Sequence, residues 1–176
     1  MVIRPATPSD VAALSDLAKR TWSDAFGYSV SPAEEAAELE EKRSEAYFAE
    51  ALRGSTILVA ETDAVLTGYV QFGDVGIRGV EAGPGDQELH RIYVETEMQG
   101  RGVGRSLMNV ALQHPRLADA SRIFLQVWER NEQAIGLYES LGFRTVGKTT
   151  FTIGSGEVAE DLVMVLDREG QAVSAR

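Results

Sequence analysis

The spacing of apolar residues changes along this chain, and each change marks an element. Val11, Leu14, Leu17 and Ala18 recur at helical spacing. They follow Thr7-Pro8-Ser9-Asp10, which reads as an N-cap, a proline at the first helical position and an acid at the third. Ser31-Pro32-Ala33-Glu34 repeats that start, and a charged helical region runs on to about Arg53, with Gly54 as its stop. Val2 to Arg4 reads as a short strand. Thr56 to Ala60 is a strand by its β-branched content, Thr62-Asp63 sits at a turn, and Val65 to Phe72 returns, which predicts a hairpin. The stretch Gly73 to Asp86 carries five glycines and a proline and reads as a loop. Beyond it come a strand from Glu88 to Val94, a helix from Gly102 to about His114 and a strand from Arg122 to Trp128. A helix from Asn131 to Leu141 follows, stopped by Gly142, then strands from Phe143 to Lys148 and Leu162 to Leu166. Strands alternating with helices predict an α/β sheet. With no repeat, linker or low-complexity stretch, one domain is expected over residues 1–167, with a frayed tail at 168–176.

Composition narrows the chemistry. The 176 residues carry 17 Lys+Arg against 27 Asp+Glu, a formal net charge of −10. That balance argues against general binding to nucleic acid or an anionic membrane, which needs a cationic face, and is compatible with a cationic substrate. No cysteine means no disulfide scaffold, no Cys-based zinc site and no thiol nucleophile. His90 and His114 lie too far apart in sequence for a His-rich metal site, so no metal is expected. The opening MVIRPATPSD holds no apolar run of signal-peptide length, and no stretch approaches the roughly 18 apolar residues of a membrane span. The expected location is the cytoplasm. Arginine outnumbers lysine 14 to 3, which hints at a GC-rich bacterial genome.

One stretch carries a chemical signature. The strand ending Arg91-Ile92-Tyr93-Val94 runs through Glu95 to Met98 into Gln99-Gly100-Arg101-Gly102-Val103-Gly104, and a helix opens at Arg105. Helix N-termini present unpaired N–H groups and partial positive charge, and glycines let an anion approach the backbone. From Met98 to Arg116 the chain holds Arg101, Arg105 and Arg116 and no acid, a local charge of +3. A phosphate or pyrophosphate suits this turn; a turn serving packing alone is the other reading. A dinucleotide fingerprint counted from Gly102 would need glycine or alanine where Leu107 stands, and a P-loop would need a lysine that is absent.

Gln99-x-x-Gly102-x-Gly104 resembles the acyl-CoA pyrophosphate loop of the GNAT (Gcn5-related N-acetyltransferase) family. Asn131-x-x-Ala134-x-x-x-Tyr138-x-x-x-Gly142-Phe143 resembles that family's second motif, in the expected order and separation. The resemblance covers nearly the whole chain and implies a single-domain α/β fold, a mixed central sheet of about six to seven strands flanked by helices. It also implies acetyl-CoA as co-substrate. Backbone N–H groups across Gly100, Arg101, Gly102, Val103, Gly104 and Arg105, after Gln99, would hold the pyrophosphate. Ile92, Tyr93 and Val94 would pair their main chain with the pantetheine amides, and the Ile92 N–H would stabilise the oxyanion. Asn131 would bond the pantetheine arm, and Tyr138 would sit near the sulfur. Several family members carry a catalytic glutamate eleven residues before the glutamine, which here is Glu88.

The chemistry asks for the same roles. An alkylamine with a pKa of about 10.4 must lose a proton before attack, and a carboxylate, directly or through water, can take it. Along an unbroken strand Glu88, His90 and Ile92 share a face. Glu88 is thus the candidate base and His90 the alternate, against a reading of both as solvated strand polar residues. Tyr138 is the candidate acid for the leaving thiolate, against a reading as a core tyrosine. Direct transfer is expected, since no cysteine can carry an acyl group.

The acceptor is less defined. Glu88-Leu-x-Arg-Ile-Tyr-Val94, Val127-Trp128-Glu129-x-Asn131, Phe151-x-x-Gly154, Asp161-x-x-Met164 and Thr21-Trp-Ser-Asp-Ala-Phe26 resemble the bacterial spermine/spermidine N-acetyltransferase branch. That implies a small cationic amine or polyamine as partner. Ser31 to Glu50 carries seven glutamates against Lys42 and Arg43, a net −5 that would draw a polyamine or be merely a solvated face. Trp22, Phe26 and Trp128 are candidates for lining the acceptor pocket. The alternatives are a peptide or protein N-acetyltransferase and a non-catalytic acyl-CoA-binding sensor. The resemblance also admits a homodimer.

Overall fold

A computed structural model describes residues 1–152 and 158–168. Gly154 and the tail past Arg168 lie outside the described residues. Strands β1 (Val2–Pro5), β2 (Thr56–Thr62), β3 (Val65–Gly73), β4 (Gln87–Val94), β5 (Arg122–Trp128), β6 (Arg144–Thr152) and β7 (Val158–Asp167) form one sheet in the order β1-β2-β3-β4-β5-β7-β6. Every pairing is antiparallel except β4 with β5. The expected fold is therefore observed, with seven strands. Among the described residues no helix is long and apolar enough to cross a membrane.

The helices are α1 (Val11–Phe26), α2 (Pro32–Arg43), α3 (Glu45–Gly54), α4 (Val103–Gln113), α5 (Pro115–Ala118) and α6 (Glu132–Ser140). The charged helical region expected from Ser31 to about Arg53 is two helices. Ser44 leaves helical geometry at ψ 165°, and its Oγ accepts from Tyr47 N–H, so it ends α2 and caps α3. The short α5 after Pro115 is likewise an addition to the expected elements, started by proline at its first position. Between β2 and β3, Asp63 and Ala64 both take positive φ, 51° and 63°, the two-residue turn that matches strand twist. The tail is anchored at its start, because Arg168 N–H donates to Ser121 O at 2.9 Å.

Alternation along the strands builds two layers. Leu58, Val70, Phe72, Leu89, Leu125 and Met164 face α4 and α6 and pack on Leu107, Met108 and Tyr138. Ile57, Val59 and Tyr69 face the other way, under Leu14, Leu17 and Phe48 of α1 and α3. Farther along that second face, Phe124, Val163 and Val165 are covered by Ile77 from the loop before β4. Gly68 of β3 is required for the first layer. A Cβ there would stand 3.0 Å from Tyr93 O and 3.1 Å from Leu107 Cδ1, so α4 could not lie as close.

The first turn after β1 is pinned by charge. The Asp10 carboxylate accepts from Thr7 N–H at 2.7 Å and from both terminal nitrogens of Arg4, at 2.8 and 2.9 Å, and Arg4 also holds Glu61. Arg4 holds the buried Asp10 carboxyl well below the usual carboxylate range, with desolvation opposing it. Asp10→Asn should lower stability at pH 7 by about 1–2 kcal/mol, trimmed by solvent around the partly exposed Arg4. Below about pH 4 the unfolded chain takes up a proton that folded Asp10 refuses. The gap between variant and wild type in urea unfolding should therefore shrink from pH 7 to pH 3.5; a gap that stays constant would contradict the ion pair as its source.

Candidate functional site

The β4–β5 ladder lasts three residue pairs, Gln87 with Ile123, Glu88 with Phe124 and Leu89 with Leu125. Past Leu89 the strands part, and a cleft of about 680 Å³ lies in the gap. Ile92, Tyr93 and Val94 line one side; Trp128, Asn131 and Tyr138 line the other. The glycine turn closes one end. Gly100 and Gly102 hold positive φ, 72° and 81°, a conformation that L side chains rarely adopt. Nothing lies within 4 Å of where a Cβ would stand at either. Gly102 is the N-cap of α4 and supplies no side chain, so the first N–H groups of the helix have no side-chain partner. An uncapped eleven-residue helix opening on a cleft beneath two bare glycines fits a diphosphate.

The other residues expected around the turn distribute unevenly. Gln99, Gly100, Gly102, Val103, Gly104 and Arg105 line the cleft. Arg105 also donates to Ser140 Oγ at 2.9 Å, which fixes its guanidinium against the end of α6. Arg101 is exposed and outside the cleft lining. Arg116 is elsewhere altogether. It bonds Gln87 Oε1 at 2.6 Å and pairs with Asp74 at 2.7 Å, so the local charge of +3 counted along the sequence does not assemble around the glycine turn. Gln99 Nε2 donates to Val94 O at 3.2 Å and ties the turn to the end of β4. Asn131 caps α6, its Oδ1 accepting from Ala134 N–H at 3.1 Å, and leaves its amide NH₂ for the cleft it lines.

Tyr138 projects from α6 into the parting of the strands. It is 5% exposed, packs on Phe143 and borders the cleft. Burial pushes its phenol well above the usual tyrosine range, with the neighbouring Tyr93 adding to the rise. Its proton therefore stays in place throughout the physiological range.

A bulge in β4 corrects the expected shared face of Glu88, His90 and Ile92. Gln71 pairs with Arg91 while Phe72 pairs with Leu89, so His90 is the extra residue and the alternation changes phase there. Leu89, Ile92 and Val94 all pack on the α4 layer. Glu88 lies on the opposite face, across from Phe124, and its carboxylate accepts from Gly76 N–H at 2.6 Å. His90 Nε2 meets Asp74 O at 3.0 Å, beside Tyr47 and Gln71 in a separate groove. Neither residue lines the cleft.

The end of the cleft away from the glycines is built by α1. Thr21, Asp24 and Phe26 line it, and Thr96 Oγ1 donates to Asp24 Oδ2 at 2.9 Å across the opening. Phe26 meets Trp128 edge-on, with ring centroids 6.0 Å apart. Trp22 lies behind Phe26, buried beneath Arg43, and does not line the cleft. No residue of the glutamate-rich Ser31–Glu50 segment does so either. Its two cations are both spent on Glu38, which pairs with Lys42 at 2.9 Å and with Arg43 at 2.8 Å. Thr21 and Asp24 stand in the Thr21–Phe26 stretch of the narrower resemblance, but the sequence alone places neither in the cleft; they lie one turn apart on the helix that carries Phe26. No group of three or more His, Cys, Asp or Glu among the described residues could hold a metal ion.

Residues 12–143 match the model of the acetyltransferase (GNAT) family. An uncharacterized N-acetyltransferase of Mycobacterium bovis is 31% identical over 89% of this chain and 97% of its own length. The L-amino acid N-acyltransferase MnaT of Escherichia coli is 29% identical over 81% of this chain and 79% of its own. The solved PaiA N-acetyltransferase of Thermoplasma acidophilum, in complex with coenzyme A, superposes with a TM-score of 0.75 at 20% identity, covering 94% of this chain and 98% of that one.

The bare turn makes a prediction of its own. Titration with inorganic pyrophosphate should shift the backbone amide resonances of residues 102–105 in the wild type and leave them unmoved in Gly102→Val. Equal shifts in both proteins would show that the glycine does not keep the helix end open.

Proposed function

The chain belongs to the acetyltransferase (GNAT) family and is an acetyl-CoA-dependent N-acetyltransferase; from that premise we propose that its acceptor is a small, positively charged primary amine, of the polyamine kind, acetylated by direct transfer. The observation that carries the choice of acceptor is the contact between Phe26 and Trp128. It bridges α1 and β5 at the end of the cleft away from the glycine turn, which suits a slender alkylamine better than a polypeptide chain.

The residues divide the work as follows. Bare N–H groups from Gly100 to Arg105 hold the pyrophosphate, and the edge of β4 at Ile92 and Val94 takes the pantetheine amides, while Tyr93, expected to share that role, turns its own N–H and C=O to Tyr69 of β3. Gln99 keeps the turn joined to that edge, and the Asn131 NH₂ donates to the pantetheine arm. The amine nitrogen attacks the thioester carbonyl carbon, and the Ile92 N–H stabilises the oxygen as it gains charge. The C–S bond then breaks. The sulfur leaves beside Tyr138, whose proton is retained by burial. The same dry surroundings raise the basicity of a thiolate, so the phenol and its acceptor move together. Before attack the acceptor's ammonium gives a proton through water to a carboxylate, which frees the lone pair that forms the C–N bond. Glu88 is the candidate, since it stands on the sheet face toward which Phe26 and Trp128 close and faces Phe124 there. His90, engaged with Asp74 O outside the cleft, is set aside.

Wild type with acetyl-CoA should release CoA thiol from a panel of diamines and polyamines faster than from amino acids or peptides. Faster turnover of peptides would overturn the small-amine reading. Tyr138→Phe should lower kcat by about 100-fold, in the range for loss of a general acid, while KM for acetyl-CoA changes less than about twofold. An unchanged kcat would remove Tyr138 from the proton transfer.

A further inference from the structure

The face of the sheet opposite α4 and α6 is covered unevenly. Helices α1 and α3 cover β2 and β3, and Ile77 covers Phe124, Val163 and Val165. Between these covers a polar shelf is left along β5, β7 and β6. Gln126 is exposed and donates to Thr149 Oγ1 at 2.6 Å. Next along the shelf, Trp128 of β5 is paired in register with Asp161 of β7, and Asp161 with Thr149 of β6. Residues directly opposite on neighbouring antiparallel strands share a face with Cβ atoms about 5 Å apart. Asp161 therefore stands beside Trp128, at the aromatic end of the cleft.

This carboxylate differs from the acids held in the fold, since the buried Asp10 and Asp86 and the half-buried Glu38 each have an arginine. Asp161 has neither a side-chain hydrogen bond nor an ion pair among the described residues, and burial raises its pKa above the usual aspartate value. The nearby cations are committed. Arg130 stands over the Trp128 ring at 5.8 Å. Lys148 pairs with Glu160 and Glu129, and alternation turns Lys148 and Glu160 to the opposite face. A half-buried carboxylate without a cation is costly, and a cationic ligand would offset that cost.

We propose that Asp161 is a specificity-determining residue, which binds a positive charge of the acceptor beside Trp128 while the reacting nitrogen lies in the cleft. The inference deepens the cationic-amine reading and rests on it. The ammonium would gain the carboxylate on one side and an aromatic wall on the other. Donor binding is untouched, because Asp161 is not among the residues that line the cleft where the coenzyme lies.

The test is spermidine binding to the CoA-loaded protein by calorimetry, in wild type, Asp161→Asn and Asp161→Glu, with n-butylamine as the singly charged control. Asp161→Asn keeps the side chain's shape and removes its charge. It should weaken spermidine by at least tenfold and n-butylamine by less than threefold, and leave acetyl-CoA affinity and kcat on n-butylamine unchanged. Its Tm should equal or exceed that of the wild type, since an unpaired buried charge is gone. Asp161→Glu should recover part of the spermidine affinity. Equal spermidine affinity in wild type and Asp161→Asn overturns the proposal, as does a parallel loss of acetyl-CoA affinity or wild type that fails to bind spermidine. Wild type that binds spermidine through Asp161 yet releases no CoA from any amine would instead overturn the proposed acceptor class, and leave the binding site standing.

Discussion

The length of the β4–β5 ladder governs this protein. Three residue pairs hold the two halves of the sheet together, and no more. A longer ladder would seal the sheet and satisfy within it the backbone groups of Ile92 and Val94, which face away from β3. A shorter one would leave the halves without a common core, since Leu89 and Leu125 lie at its end and are almost fully buried. Buried backbone groups need partners, so an edge that the sheet does not pair is an edge offered to a ligand. The parting also admits a side chain from the α4 layer, Tyr138, to a place reached from the other face. In the proposed reaction, donor and acceptor approach one point from two sides.

The donor side is built with little charge. The glycine turn offers left-handed glycines and an uncapped helix, and of Arg101, Arg105 and Arg116, Arg105 alone lines the cleft. Oriented peptide dipoles cost no reorganisation when the ligand arrives. The side chains that do lie close are themselves tethered, Arg105 to Ser140 and Gln99 to Val94 O. The opposite wall of the cleft carries the rings of Phe26 and Trp128 and the carboxylate of Asp24.

The glycine turn, the cap at Asn131, the stop at Gly142 and the strand from Arg122 to Trp128 were legible in the sequence because each rests on local backbone rules. The break at Ser44 left a weaker trace, a serine three residues before Tyr47 inside an otherwise helical run. Two features were hidden for physical reasons. A bulge adds one residue to one strand without disturbing the order of residue types, so the stretch around His90 reads as an unbroken strand and Glu88 is assigned the wrong face. A charge sum along the chain takes no account of direction, so Arg116 was counted toward an anion site although its guanidinium holds Asp74 and Gln87. Asp161 was visible only as part of a resemblance. Its lack of a counter-ion among the described residues is a property of the strands around it, set by a pairing of β5 with β7 that no local signal predicts.

The bulge at His90 has an effect on how this strand can vary. Before it, β4 presents Glu88 to one face; after it, Ile92 and Val94 belong to the other. A single strand thereby answers to two layers in turn, so a substitution at Glu88 and one at Ile92 are felt on opposite faces of the sheet. One inserted residue works as a phase shifter, which lets neighbouring stretches of the same strand be packed by unrelated helices and loops.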